Sequence, residues 1–444
     1  MSKKPFLSGS FIIAVFIVSC KKETPITIDT IDFYHSVDKV TEIMVHDIFS
    51  PPVASRIYVY PNIAAYEIIS QKGNFTPLSG QLKGLHPIPK PENENINLDL
   101  AALIAHIEIS KTLIFSEEKI SSYRDSLFSV WKQKNGKEFN TSKNYATKVI
   151  DHIKEWMGKD NYAQIPTMPK FQVKIDDPSR WQPTPPAYMN GIEPHWNKIR
   201  TLVLDSAAQF KPAKHPPFSL EKNSAFYKEL IEVYDISREI TKKGDSSEEI
   251  QIAQFWDCNP YISITRGHLM FATKKITPGA HWIGITKIAC KKSKYDFENA
   301  VHAFTKTSIG LFEGFISCWD EKYRSNLVRP ETLINEYIDD SWQPILQTPP
   351  FPEYTSGHSV ISGAASVVLT SIFGENFNFD DDTEIPYGLP VRSFSSFEQA
   401  ANEAAISRLY GGIHYKAAID IGVKQGRDIG KYVVEKLITN PEKQ

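Results

Sequence analysis

Three short stretches in the last third of the chain carry residue types that can handle an oxyanion. They are KYRSNLVRP (322–330), TSGH (355–358) and ISRLYGGIHY (406–415). Together they offer three cations, Lys322, Arg329 and Arg408, and two histidines, His358 and His414. Three cations do not share a dry pocket without a polyanion to offset them. Arginine forks bind the oxygens of a tetrahedral anion in pairs, and lysine adds a point charge. Of two histidines beside such an anion, one can bond the central atom and the other can move a proton.

Each stretch needs an element to position it. Lys322 and Arg329 are seven residues apart, two helical turns, so a continuous helix would face them the same way. Ser356, Gly357 and His358 precede SVISGAASVVLTSIF, whose small and apolar residues suit a closely packed buried helix. The unpaired N–H groups at its start favour an anion, Ser356 can donate its hydroxyl, and Gly357 admits a close backbone. Arg408 sits near the end of an Ala-rich helix that Gly411 and Gly412 break before His414. Taken singly, these are also a solvated basic helix end, an N-cap and an arginine paired with a structural carboxylate. Asp257, in FWDCNP, is a candidate buried partner for Arg329 or Arg408.

In order and spacing the three stretches resemble the signatures of the vanadium-dependent haloperoxidase / type 2 phosphatidic acid phosphatase superfamily. The pattern is Lys, six residues, Arg-Pro; then Ser-Gly-His; then Ser-Arg, five residues, His. WQPTPPAYMNGIEPHWNKIR, upstream, is similar to a stretch in bacterial haloperoxidase-like members. The resemblance implies a mainly α, helical-bundle architecture of the vanadium chloroperoxidase / PAP2 type with long irregular loops. It implies that Lys322, Arg329 and Arg408 hold the oxygens of vanadate or phosphate, with Ser356 and the Gly357 N–H adding hydrogen bonds. His358 becomes the acid–base residue, and His414 the residue that ligates vanadium or attacks phosphorus. Trp319 and Phe351 resemble aromatics that line the halide side of chloroperoxidase-type pockets.

Two departures stand out. Thr355 replaces the usual proline before Ser-Gly-His, and Ala418 stands where many phosphatases carry an aspartate, the nearest acid being Asp420. A carboxylate that orients His414 must then come from elsewhere. The implied activity is oxidation of halide by hydrogen peroxide with vanadate as cofactor. The alternative is a vanadate-inhibitable acid phosphatase acting on a small phosphate ester through a phosphohistidine.

The wider chain fits such a site. Helical periodicity dominates, from LDLAALIAHIEISKTLIF (98–115) to YKAAIDIGVKQGRDIGKYVVEKLI (415–438), with ten or more helices expected. FQVKI (171–175) is the best strand candidate. The 444 residues carry a net charge of -2, which excludes the basic character of a nucleic-acid binder. The N-terminus pairs a basic start with an apolar segment, Phe11 to Val18, and ends in IVSC, which resembles a bacterial lipobox. Residues 1–19 are therefore expected to be a signal peptide, Cys20 the lipidated residue, and 20–34 a tether. This reading exports the protein to a bacterial membrane, facing periplasm or cell surface, with the lipid as its membrane contact. The mature chain divides into an N-terminal helical half (35–163), a proline-rich covering connection (164–222) and a C-terminal helical half (223–440). Cys258, Cys290 and Cys318 fit no zinc spacing and read as buried small hydrophobes.

Overall fold

A computed structural model describes residues 23–92, 95–260, 263–266, 269–272 and 274–439. Among them are thirteen α-helices. The first five are α1 (Thr30–Asp47), α2 (Pro51–Ile69), α3 (Leu98–Lys111), α4 (Glu117–Lys134) and α5 (Gly136–Met157). Then follow α6 (Ala225–Lys243), α7 (Glu248–Phe255), α8 (Pro278–Lys292), α9 (Phe297–Ser325) and α10 (Pro330–Tyr337). The last three are α11 (Gly357–Phe373), α12 (Phe397–Tyr410) and α13 (Lys416–Lys436). Two antiparallel hairpins are the only sheets among the described residues. They pair β1 (Ser263–Arg266) with β2 (Leu269–Ala272), and β3 (Phe379–Asp381) with β4 (Arg392–Phe394).

Helix α9 runs through the middle of the bundle, packing on α2, α8, α11 and α13. It is buried along nearly its whole length, so a long continuous helix is stable without a solvent-facing stripe. α11 lies between α9, α12 and α13. Its contact with α13 is close because both sides are small. Gly422, Gly426 and Gly430 recur at four-residue spacing and face α11, where a Cβ at 426 would sit 2.0 Å from the Val360 carbonyl oxygen. This approach lets the Ser356 N–H donate to the Ala418 carbonyl at 3.1 Å and seats the start of α11 against α13.

The connection before α6 is irregular, with Trp181 and Trp196 fully buried. Its backbone is tied to the loop after α9 and to the segment before α11: Trp181 N donates to Asn326 O, Val328 N to Ser179 O, and Ile192 N to Pro350 O. FQVKI, expected as a strand, forms none: it is irregular, runs into a turn at Ile175 and pairs with no strand among the described residues. The tether expected over 20–34 differs too. From Ile26 onward the chain packs: Ile26 and Ile28 are buried, Ile26 N donates to Glu138, and Asp29 caps α1 with Asp32. Cys20 and the apolar segment before it lie outside the described residues. No helix among the described residues is long and apolar enough to cross a membrane. Cys258, Cys290 and Cys318 are free and buried, as expected of small hydrophobes.

Candidate active site

The three stretches converge. α9 does not carry both Lys322 and Arg329, contrary to the two-turn expectation. Asn326 adopts a left-handed conformation (φ 50°) and ends the helix, and Arg329 lies beyond it as the extended residue before Pro330 at the start of α10. The loop still returns Arg329 to the Lys322 side. Lys322 is fully buried, and its Nζ donates to the carbonyls of Pro352, Glu353 and Thr355 at 3.0, 3.0 and 2.6 Å. It also lies 4.9 Å from the centre of the Phe351 ring and 5.9 Å from that of Trp319. Burial drives its pKa down to about 7.

Arg329, fully buried, donates from Nε to Phe351 O (3.0 Å) and from Nη1 to Ile413 O (2.8 Å) and His414 Nε2 (3.1 Å). Its Nη2 is buried without a partner. Arg408 is anchored by Ser407 Oγ and by the carbonyls of Ala253 and Trp256. Asp257 does not bond either arginine; it pairs with Lys275 at 2.6 Å, and only its charge acts on Arg408.

His414 follows Gly412, whose φ of +75° turns the chain from α12 towards α13. Its Nδ1 lies 2.7 Å from Glu353 Oε1, which also accepts from the Tyr415 N–H at 3.0 Å. The tautomer follows from donor counting. Arg329 has no acceptor, so Nε2 of His414 must present its lone pair, and Nδ1 must carry the proton donated to Glu353. Burial, followed by the charges of Arg329, Lys322 and Arg408, holds His414 well below the usual histidine range. Burial raises Glu353 to about 8, against the pull of Arg329 and Lys322.

Ser356 caps α11, its Oγ accepting from Ser359 N at 3.3 Å, which leaves its O–H hydrogen to donate. Gly357 and His358 form the first turn of α11. The His358 Nε2 is shielded from solvent and has no hydrogen-bond partner. Burial first, then Arg408, depresses its pKa well below the ordinary value. Trp319, Phe351, Gly357, His358, Arg408 and His414 line one cavity with Cys258 and Asn259.

Lys322, Arg329, Arg408, Ser356, Gly357, His358, His414, Trp319 and Phe351 therefore come together, whereas Asp257 is turned to Lys275 and Cys20 lies outside the described residues. Glu353 was missed. Its signal was faint: one acid in the otherwise uncharged run PPFPEYTSGH. The arrangement holds three cations against one carboxylate, with an unpaired guanidinium nitrogen and an unpaired imidazole nitrogen buried at its edge. Such groups are costly to bury unless a ligand meets them, and a tetrahedral or trigonal oxyanion supplies the acceptors they lack.

Comparison with known proteins bears on this cage. A family model described as the VCPO second helical-bundle domain matches residues 302–441. The crystal structure of a bacterial vanadium-dependent iodoperoxidase is 65% identical, covering 94% of this chain and 99% of its own, with a TM-score of 0.90. A holo-type bacterial vanadium-dependent chloroperoxidase is similar in fold, at 15% identity over 93% of this chain and 98% of its own, with a TM-score of 0.69. An apo-type structure of a bacterial vanadium-dependent chloroperoxidase gives 16% identity and a TM-score of 0.65, covering 87% of this chain and 94% of that one. No curated protein sequence matches the chain.

The depressed Lys322 gives a pH signature. In the anion-free protein its charge is lost as pH rises through about 7, and a bound anion restores it by proton uptake. Affinity for tungstate, a dianion that does not itself titrate in this range, is expected to be flat below pH 7. Above it, affinity should fall by at least about tenfold per pH unit, since one proton is taken up per anion and Glu353 loses its own proton at about 8, adding negative charge beside the anion. Calorimetric titration between pH 6 and pH 9 reads this; affinity independent of pH would show that Lys322 stays charged without the anion.

Proposed function

The chain belongs to the vanadium-dependent haloperoxidase family, and on that premise we propose that it oxidises iodide with hydrogen peroxide at this cage. Vanadate is the cofactor, and the donor set suits it. The buried, unpartnered Arg329 Nη2 offers a charged donor, and the unprotonated His414 Nε2 offers a ligand lone pair once it gives up the hydrogen bond from Arg329 Nη1. When bound, vanadate supplies a Lewis-acidic centre that activates hydrogen peroxide without changing its own oxidation state.

The chain's residues divide the remaining work. His414 presents Nε2 as the ligand atom, held in that tautomer by Glu353. Arg329, Arg408, Ser356 and the Gly357 N–H would hold the anionic oxygens, with Lys322 joining them by exchanging one of its three carbonyl partners for the anion. His358, kept neutral by its surroundings, takes the proton from incoming hydrogen peroxide at Nε2 and later returns it. Lys322 sets its ammonium charge beside the reacting oxygens. The Trp319 and Phe351 rings, 5.0 Å apart, form an apolar wall beneath that charge. A large, weakly hydrated halide loses least on entering such a place, and the relative at 65% identity is an iodoperoxidase.

One observation favours a second reading. Glu353 fixes the His414 tautomer, as a nucleophilic histidine requires, so the lack of an acid at Ala418 does not disfavour phosphate-ester hydrolysis by the vanadate-free protein. One panel separates the two. The vanadate-loaded protein is expected to turn over iodide, with His358→Ala reducing kcat by about 10²–10⁴-fold and His414→Ala abolishing turnover. Absence of turnover with iodide, bromide and chloride, with ester hydrolysis that vanadate inhibits, would replace the first reading by the second.

Export and lipid attachment at Cys20 are inferred from the apolar segment and the IVSC step alone. Cys20→Ala is expected to move the protein from the detergent phase to the aqueous phase in a detergent partition; an unchanged partition contradicts the anchor.

A further inference from the structure

Beside the cage lies a second cluster that the reaction does not use. Cys258, His281 and Glu384 come from the end of α7, from α8 and from the turn after β3, and all three are buried. His281 Nδ1 is 3.4 Å from Cys258 Sγ and 3.2 Å from Glu384 Oε1, and Sγ is 3.9 Å from that oxygen. Tetrahedral zinc, with bonds of about 2.3 Å to sulfur and about 2.0 Å to nitrogen and oxygen, separates such ligand atoms by about 3.3–3.6 Å. The two separations from His281 lie at that spacing, and the sulfur–oxygen pair would close by a few tenths of an ångström to complete three corners of a tetrahedron.

The surroundings of His281 add an independent indication. Its far nitrogen, Nε2, is 2.8 Å from Asp381 Oδ2 and 2.8 Å from Thr383 Oγ1. Thr383 in turn donates to the other oxygen of Asp381 at 2.6 Å. A carboxylate behind the non-ligating nitrogen is the arrangement that orients metal-bound histidines. The Trp256 ring stacks on His281, with centroids 4.4 Å apart at 18°.

We propose that Cys258, His281 and Glu384 bind one zinc-like divalent cation, with water completing the fourth position. Binding displaces the Cys258 thiol proton and one imidazole proton, so the cluster's net charge is unchanged: two protons leave as two positive charges enter. The cation would pin the segment Trp256–Cys258. That segment supplies the carbonyl that holds Arg408 Nη2 at 2.8 Å, and Cys258 lines the cage cavity. The cation would therefore brace Arg408 without touching vanadate.

The test uses the full-length protein, free of vanadate and loaded with it. Elemental analysis after dialysis is expected to find one zinc per chain in both preparations. Cobalt(II) added to the zinc-free protein should give thiolate-to-cobalt charge-transfer absorption. Cys258→Ser should abolish that absorption, Glu384→Gln should weaken zinc binding by at least about a hundredfold, and Asp381→Asn by about ten- to a hundredfold. Circular dichroism checks that each variant folds, and the cobalt spectrum of the unaltered protein stands without them. Neither readout uses halide turnover, so failure here leaves the haloperoxidase reading intact. No cobalt absorption in the unaltered protein, or equal zinc affinity in a folded Cys258→Ser protein, overturns the proposal. In that case the cluster is an imidazolium held between carboxylates.

Discussion

The hydrogen bond from Arg329 Nη1 to His414 Nε2 constrains the rest of the site. A guanidinium can only donate, so it fixes which imidazole nitrogen keeps a lone pair. The proton then sits on Nδ1 and needs an acceptor, and Glu353 is that acceptor at 2.7 Å. Glu353 is fully buried and would be costly there alone. Arg329 and Lys322 reduce that cost, and each is itself depressed by burial. The cage is a set of groups that are each unfavourable alone and become tolerable together, with an oxyanion as the missing member.

Such a set must be built on rigid elements, because a small displacement would leave a buried charge without its partner. α9 supplies Lys322 from a helix buried on nearly all sides. The glycine face of α13 draws α11 close enough to seat Ser356, Gly357 and His358 beside it. The long connection adds no regular structure. It nonetheless ties Ser179, Trp181 and Ile192 to residues 326, 328 and 350, which bracket the loops carrying Arg329 and Phe351. An irregular chain serves here because it is bound to the site by specific backbone hydrogen bonds.

The cage residues were legible in the sequence because each contributes through a short local pattern: a helix end before Arg-Pro, a capped helix start, a glycine break before a histidine. Glu353 was not, since its role arises only when the segment before α11 folds back over His414, 61 residues away. The Cys258, His281 and Glu384 cluster was hidden for the same reason, being joined across 126 residues without a local spacing. FQVKI alternates like a strand, yet pairing needs a neighbour that the sequence pattern does not reveal. Asp257 was read as a buried partner for Arg329 or Arg408 and instead pairs with Lys275. Ile26 and Ile28, within the expected tether, join the hydrophobic core, and Glu138 of α5 accepts from the Ile26 N–H.

The central claim is that the chain itself, before any anion arrives, fixes His414 with a bare Nε2. Nitrogen-15 NMR of histidine-labelled, vanadate-free protein, with His414 assigned by comparison with His414→Gln, reads this directly. The result predicted is a protonated Nδ1 and an unprotonated Nε2, unchanged across neutral pH. A proton on Nε2, or a mixture of tautomers that shifts with pH, would contradict it.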